Sequence, residues 1–434
     1  MKIQYKDKML EIEEKTKISK LLKKEIETSE YMIVGANYNN EYVDLDQEIK
    51  EDGKIELIDI SSKEGMRIYK RTLIYIFAKA LKKMYPDNKA TVNYQLANAT
   101  YCDIGEIEVT EELVQKLNEE MRKIIKSDLP IEKKIMSRAE AERFYEETKT
   151  ARGKLQYDLK SNQKIKMYYC EDYFNYCYGI LANHTGAIKI FEVIKYDKGL
   201  LLRYPSIEKP TQLPKLMQSR KIRWALDEYN DIHKILNINT VYKLNTATVE
   251  KRIKDVIMLD EALHEKKIAN IADRIARNRK IKMVLIAGPS SSGKTTFAQR
   301  LGIQLRLNKL KPVTISVDNY FVERKDTPKN ENGEYNFECI EAIDLKLFND
   351  HLTKLLNGEE VEMPQFDFHE GTKKYNGTKL KLADDEILVI EGIHCLNDRL
   401  TSSIPQDEKF KVYISALTVL NMDRYTKYLQ QIQD

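Results

Sequence analysis

Apolar and polar positions change rhythm along the chain, and each change marks a different kind of structure. From residue 1 to about 62 they alternate in short runs, Lys2–Tyr5, Met9–Ile12, Tyr31–Ala36 and Lys54–Ile60, with one helical repeat at Ile18–Glu27 and Gly53 as a turn residue. A period of two puts one face of a strand on a core and the other in water. These runs around a short helix predict a small α+β roll. Arg67–Tyr85 then reads as a strongly apolar helix closed by Pro86, followed by a hairpin in TVNYQLANATYCDIG. Two charged helices are predicted at Glu111–Lys126 and Ser137–Lys149, with Pro130 between them. Tyr157–Tyr204 is strand-rich and ends at Pro205, which cannot donate to a ladder. Further helices are predicted at Trp224–Leu236 and Val249–Arg279, the second with Ile253, Val256, Ile257, Leu263, Ile271 and Ile275 on its apolar face.

Past Lys282 the rhythm becomes strand, helix, strand, which predicts a parallel sheet with crossover helices on both faces. The apolar run Met283–Ala287 opens it, and Phe297, Leu301 and Leu305 mark a helix packed on the sheet. Strands follow at Val313–Val317, Ile387–Ile390 and Phe410–Ile414, with a helix at Asp344–Asn357 capped by Gly358. The implied organisation is 1–62, 63–240, a helical linker 241–282, and an α/β domain 283–434.

Between the first strand and its helix lies GPSSSGKTT, Gly288 to Thr296, which fits G-x-x-x-x-G-K-[ST]. In such a loop glycine lets successive amides turn inward on an anion, and the helix N-terminus adds its dipole. Gly288, Pro289, Ser290, Ser291, Ser292, Gly293, Lys294, Thr295 and Thr296 are therefore the expected ATP phosphate site. Lys294 is expected on the β- and γ-phosphates and the Thr295 hydroxyl on Mg²⁺. Two acids follow strands, Asp318 and Glu391. In an open α/β sheet ligands bind at the carboxyl ends of the strands, so both should face the phosphate loop.

Composition narrows this reading. At 434 residues two or three domains are expected. Five cysteines without a C-x-x-C pair fit free thiols in a reducing compartment, hence the cytoplasm. No signal-peptide pattern or membrane-length apolar run is present in the sequence. Seventy-two basic against 68 acidic residues give +4, too balanced to argue for nucleic acid from charge. The tyrosine-dense region 157–204 lacks an interleaved Arg/Lys stripe and suits a packed sheet edge better than a base-stacking surface. RNRKIK at Arg277–Lys282 suits a helix C-terminus better than an RNA contact.

Several motifs carry resemblances. The first 62 residues resemble the TGS module, a ubiquitin-like roll at the front of threonyl-tRNA synthetases. Tyr69–Gly105 with CYGILANHTGAIKIF at Cys177–Phe191 resembles the editing-type α+β domain of the same enzymes. That family's H-x-x-x-H and C-x-x-x-H metal positions correspond to Arg71, Tyr75, Cys177 and Leu181, so the resemblance implies a retained fold without the metal, and His184 lies three residues too late to substitute.

DNYF at Asp318–Phe321, YNFE at Tyr335–Glu338, GEEVEMPQFDF at Gly358–Phe368 and VIEGI at Val389–Ile393 resemble the uridine kinase and phosphoribulokinase group. The whole arrangement is similar to bacterial multidomain nucleoside kinases. This implies Asp318 as proton acceptor and Mg²⁺ partner, Glu391 as the metal-side acid, Glu338 on ribose hydroxyls, and Phe321 and Phe366 at the nucleoside. His369 is an acceptor-site residue set two positions from the family's base-contacting histidine, where Gly371 stands. The implied activity is transfer of the ATP γ-phosphoryl to the 5′-hydroxyl of uridine or cytidine. Alternatives are a kinase of another small alcohol, or a non-catalytic nucleotide sensor whose residues 1–240 bind tRNA or a partner. The family continues past the strand Phe410–Ile414 into an arginine-bearing helix and lid. Here the sequence stops twenty residues later with Arg424 as its nearest arginine, which implies a C-terminally incomplete domain, with Tyr428–Gln433 suggesting a frame shift as the cause.

Overall fold

The computed structural model describes residues 1–87, 90–96, 99–147, 165–217, 220–415 and 420. Its contacts divide these into two compact units, with the chain passing from the first to the second between residues 253 and 254.

The first unit opens with a five-stranded sheet in the order Lys8–Glu11, Lys2–Tyr5, Gly53–Asp59, Ile33–Tyr38, Glu41–Val43. Lys2–Tyr5 runs parallel to Gly53–Asp59, and the other pairs are antiparallel. Ile3, Ile33 and Ile55 pack on Ile18 and Leu22 from the helical segment, as the alternating pattern requires. That segment is two short helices, Ile18–Leu21 and Lys23–Glu27, broken where Leu22 leaves helical geometry and turns fully into the core.

Next, Ser62 caps the helix Lys63–Met84 by accepting from the Gly65 amide at 3.1 Å. Ile68, Leu73, Ile76 and Phe77 of this helix share a core with Leu113, Leu117 and Met121 of Glu111–Lys126 and with Leu200 and Leu202 of a four-stranded antiparallel sheet. The sequence positions tied to the synthetase metal are filled by bonds within the protein. Arg71 donates to the Ile180 carbonyl at 2.8 Å and pairs with Glu64 at 2.6 Å. The Tyr75 hydroxyl shares its proton between the Tyr168 and Tyr173 carbonyls, at 3.2 and 3.1 Å. Leu181 is buried, burial pushes the Cys177 thiol up, and His184 pairs with Asp128. The tyrosines of the second sheet are packed ones: Arg223 lies 4.7 Å from the Tyr101 ring and 5.0 Å from Tyr196, and joins the helix Arg220–Ile235 to the sheet through the Tyr101 hydroxyl and the Tyr196 carbonyl.

The second unit is built on a parallel sheet in the order Lys311–Ser316, Glu386–Glu391, Met283–Ala287, Lys409–Tyr413. Period two explains the unbroken apolar runs of its central strands. Met283, Leu285, Leu388 and Ile390 face Phe348, Leu352 and Leu355 of the helix Leu345–Leu356. Val284, Ile286, Ile387 and Val389 face Phe297, Leu301 and Leu305 of the helix Lys294–Leu307. Both faces are covered, and each fully buried Leu or Ile contributes about 1.5–3 kcal/mol.

Two features differ from the sequence reading. The predicted helix Val249–Arg279 starts later than expected and has a separate helix before it: the two are Val241–Val249 and Ile253–Arg277, the second being the predicted one. In the second, Ile257 is exposed, and the buried stripe is Ile268, Ala272 and Ile275, which pack on the sheet face with Val284 and Phe297. A stretch placed in a linker by sequence thus shares a core with the α/β unit, because its apolar stripe extends toward the strand it precedes. The other feature is a long hairpin, Val361–Asp367 with Thr372–Leu380, whose second strand is largely exposed and too polar to announce itself. The early part of the Tyr157–Tyr204 stretch, the end of Ser137–Lys149, Arg424 and Tyr428–Gln433 lie outside the described residues. No helix among the described residues is long and apolar enough to cross a membrane.

Candidate active site

Three adjacent parallel strands deliver the predicted residues to one edge. Met283–Ala287 leads into the loop from Gly288, Glu386–Glu391 ends on Glu391 opposite Ile286 and Ser316, and Lys311–Ser316 leads into a 3₁₀ turn, Val317–Tyr320, that carries Asp318. The loop has the backbone an anion cradle needs. Gly293 has φ of 83° at the N-cap of Lys294–Leu307, and Ser291 is also left-handed at 57°. A Cβ at Gly288 would stand 2.3 Å from the Ile414 carbonyl oxygen, so only glycine fits there. The Ser292 hydroxyl is sealed from solvent with no hydrogen-bond partner, and Lys294 Nζ donates to the Pro289 carbonyl of its own loop at 2.9 Å. A loop with an unpaired buried hydroxyl, a cation held only by a carbonyl, and a helix N-terminus behind it fits a polyphosphate. Pro289, Ser290, Thr295 and Thr296 are exposed around it.

Asp318 meets solvent, yet protein crowds its carboxyl; burial raises its pKa above the ordinary range, and the charge of Lys294 pulls it back. Tyr320 fixes this segment. Its hydroxyl lies 3.1 Å from His351 Nδ1, its ring stands edge-on to Phe348 at 4.7 Å, and its carbonyl accepts from the Asp344 amide at 2.8 Å. Glu391 is buried. Two carboxylates and the Thr295 hydroxyl suit Mg²⁺, which keeps waters and shares its remaining positions with phosphate oxygens. Among the described residues no group of three or more His, Cys, Asp or Glu could hold a metal by itself.

Beside Asp318 lies an aromatic cluster. Phe321 stands 5.6 Å from Phe366, 6.0 Å from Phe368 and 6.3 Å from Phe337. Phe366 and Phe321 are buried, whereas Phe368 is 58% and Phe337 39% exposed. The rings open to a ligand are therefore Phe368 and Phe337, neither of which sequence reasoning singled out; the F-D-F spacing of the hairpin strand was the available signal. His369 is exposed at the hairpin tip, its amide held by Asp367 at 3.0 Å, and Glu338 is exposed with its amide on Asn336 at 3.1 Å. A further residue absent from the sequence reading is His394. Burial lowers its pKa, opposed by a hydrogen bond to the Cys339 backbone and by the charges of Glu341, Asp318 and Glu338.

A parallel sheet carrying this loop and these strand-end carboxylates defines a P-loop α/β domain. Comparison with known proteins specifies it further: residues 283–426 carry a domain of the Phosphoribulokinase / Uridine kinase family. The N-terminal part is similar to threonine–tRNA ligases. That of Clostridium tetani (strain Massachusetts / E88) is 30% identical over 189 residues, 43% of this chain and 30% of the ligase. That of Geobacillus sp. (strain WCH70) is 33% identical over 163 residues, 37% of this chain and 25% of the ligase. The chain thus spans under a third of the length of these relatives. Among solved structures, a possible uridine kinase from Bacillus stearothermophilus matches at 22% identity over 34% of this chain and 80% of that one, with a TM-score of 0.27.

Proposed function

We propose that residues 283–434 transfer the γ-phosphoryl group of ATP to the 5′-hydroxyl of a nucleoside, uridine or cytidine first, with residues 1–62 and 63–240 as accessory modules. One observation carries the reading: an anion cradle and two strand-end carboxylates stand at the carboxyl ends of three adjacent parallel strands. Gly288 to Thr296 bind the triphosphate, with Lys294 exchanging the Pro289 carbonyl for phosphate oxygens. Thr295, Glu391 and Asp318 would hold Mg²⁺, which would neutralise the phosphate charge. Asp318 accepts the proton of the acceptor hydroxyl as the new P–O bond forms and the bond to the β-phosphate bridging oxygen breaks. ADP and a nucleoside monophosphate leave. Glu338 takes ribose hydroxyls. Phe321 and Phe366 back the exposed Phe368 and Phe337 as a platform for the base, with His369 at its rim.

The test is Asp318→Asn, which keeps the size of the side chain and removes its basicity. ATP affinity should stay within a few-fold, and nucleoside phosphorylation should fall by more than tenfold, about 1.4 kcal/mol in the barrier. Turnover within that range of the unsubstituted chain would remove Asp318 from the proposed role.

A further inference from the structure

Beyond Glu391 the chain turns back on itself over the strand ends. The Gly392 amide donates to the Ile286 carbonyl at 3.1 Å, Cys395 to Gly392 at 3.3 Å and Asn397 to the His394 carbonyl at 2.8 Å. Cys395 is fully buried, with its thiol on the Ile390 carbonyl at 3.6 Å. His394 is held between these anchors, in a segment that also feels Asp318, Glu338 and Glu341. Glu341 is already engaged, paired to Arg399 at 2.6 Å.

His394 Nε2 is sealed from solvent and has no hydrogen-bond partner. A buried polar nitrogen is rarely left unpaired, and in an active site the missing partner is commonly a ligand. The ring's hydrogen bond goes to the Cys339 backbone. A carbonyl only accepts, so the ring nitrogen facing it carries the proton and Nε2 keeps its lone pair. Burial also favours the neutral ring. The neighbourhood therefore offers acceptors, the Asp318 and Glu338 carboxylates and His394 Nε2, to a ligand that must bring the donors. An acceptor with three hydroxyls fits that arithmetic better than one with a single hydroxyl.

We propose that His394 is an acceptor-binding residue whose Nε2 accepts a hydrogen bond from a ring hydroxyl of a ribose-type substrate, between Asp318, which takes the reacting hydroxyl, and Glu338. This rests on the nucleoside kinase reading and extends it: the 318, 338 and 394 positions, from three separate segments, together read the number of hydroxyls on the sugar.

The experiment uses the full chain with ATP and Mg²⁺, and uridine, 2′-deoxyuridine and 3′-deoxyuridine as acceptors. His394→Ala should raise the KM for uridine at least tenfold while leaving the KM for ATP unchanged, and should do much less to one of the two deoxynucleosides, the one already lacking the hydroxyl that His394 reads. His394→Asn, which restores an acceptor of similar reach, should recover part of the loss. An equal rise for all three acceptors, an unchanged KM for uridine, or a parallel rise in the KM for ATP would each overturn the assignment. An unsubstituted chain inert toward uridine would refute the underlying nucleoside reading, whereas an active one with indifferent His394 variants would refute the assignment alone.

Discussion

Asp318 combines two demands that oppose each other. Protein crowding raises its carboxyl above the ordinary 3.8, and the nearby Lys294 charge acts to lower it. A raised pKa makes a stronger base for the acceptor's proton, but a protonated carboxyl accepts nothing, so activity is present above this pKa and lost as pH falls through it. In the metal-free protein the Asp318 carboxyl should titrate above 3.8, followed by its ¹³C shift, and Lys294→Ala should move the midpoint further up because a lowering charge is gone. A midpoint at or below 3.8, or a downward move in the variant, would contradict this. Asp318 and Glu391 were legible in the sequence because each follows a strand that has to be buried and parallel. His394 was not. Its environment is made by Cys339 and Glu341, more than fifty residues earlier in the chain, and nothing local marks a loop histidine whose Nε2 will be sealed.

At the scale of elements, the segment after Asp318 and the tip of the hairpin are tied by one side chain. Arg324 donates to the Phe368 carbonyl at 2.7 Å and to the His369 carbonyl at 3.4 Å, and its amide bonds the Gly371 carbonyl at 2.9 Å. Asp367 braces the same tip by accepting from Lys374 Nζ and the Glu370 and His369 amides, which hold its pKa down to about 2. At an exposed tip such as this one, solvent screens charge-assisted bonds of this kind, so each contributes only modestly. Arg324→Ala should therefore raise amide hydrogen exchange at residues 368–371 severalfold while leaving the central strands unchanged. Unaltered exchange there would show that Asp367 alone fixes the tip. The hairpin was invisible to periodicity because Thr372–Leu380 is largely exposed and gains its order from pairing with Val361–Asp367. The helix Ile253–Arg277 was visible as a helix, and Ile271 and Ile275 of its predicted face do pack on the core, but that face is not buried along the whole helix. Ile257 falls in its exposed first half, and only the later stripe of Ile268, Ala272 and Ile275 meets the sheet.

Across the whole molecule, what composition and rhythm announced was the order of architectures: a roll, a mixed α+β region, then a parallel sheet. The phosphate loop could be read from sequence because glycine at 288 and 293 is demanded by close approach and by a left-handed backbone, constraints that act within one turn of the chain. The filling of the synthetase-like metal positions is only half legible. Sequence shows that Arg71 and Tyr75 are not histidines, but that they bond the Ile180, Tyr168 and Tyr173 carbonyls depends on segments about a hundred residues away. The aromatic cluster beside Asp318 depends on the same kind of distant assembly, since its rings come from the segments around 321, 337 and 366–368. The reaction is therefore tested most directly by an acceptor panel: the full chain with ATP and Mg²⁺, offered uridine, cytidine, purine nucleosides, ribose and glycerate, with products identified by ³¹P NMR. The expected product is a 5′-monophosphate of a pyrimidine nucleoside, formed with stoichiometric ADP and absent in Asp318→Asn. Phosphorylation of ribose or glycerate in preference to every nucleoside, or ATP binding without transfer to any acceptor, would contradict it.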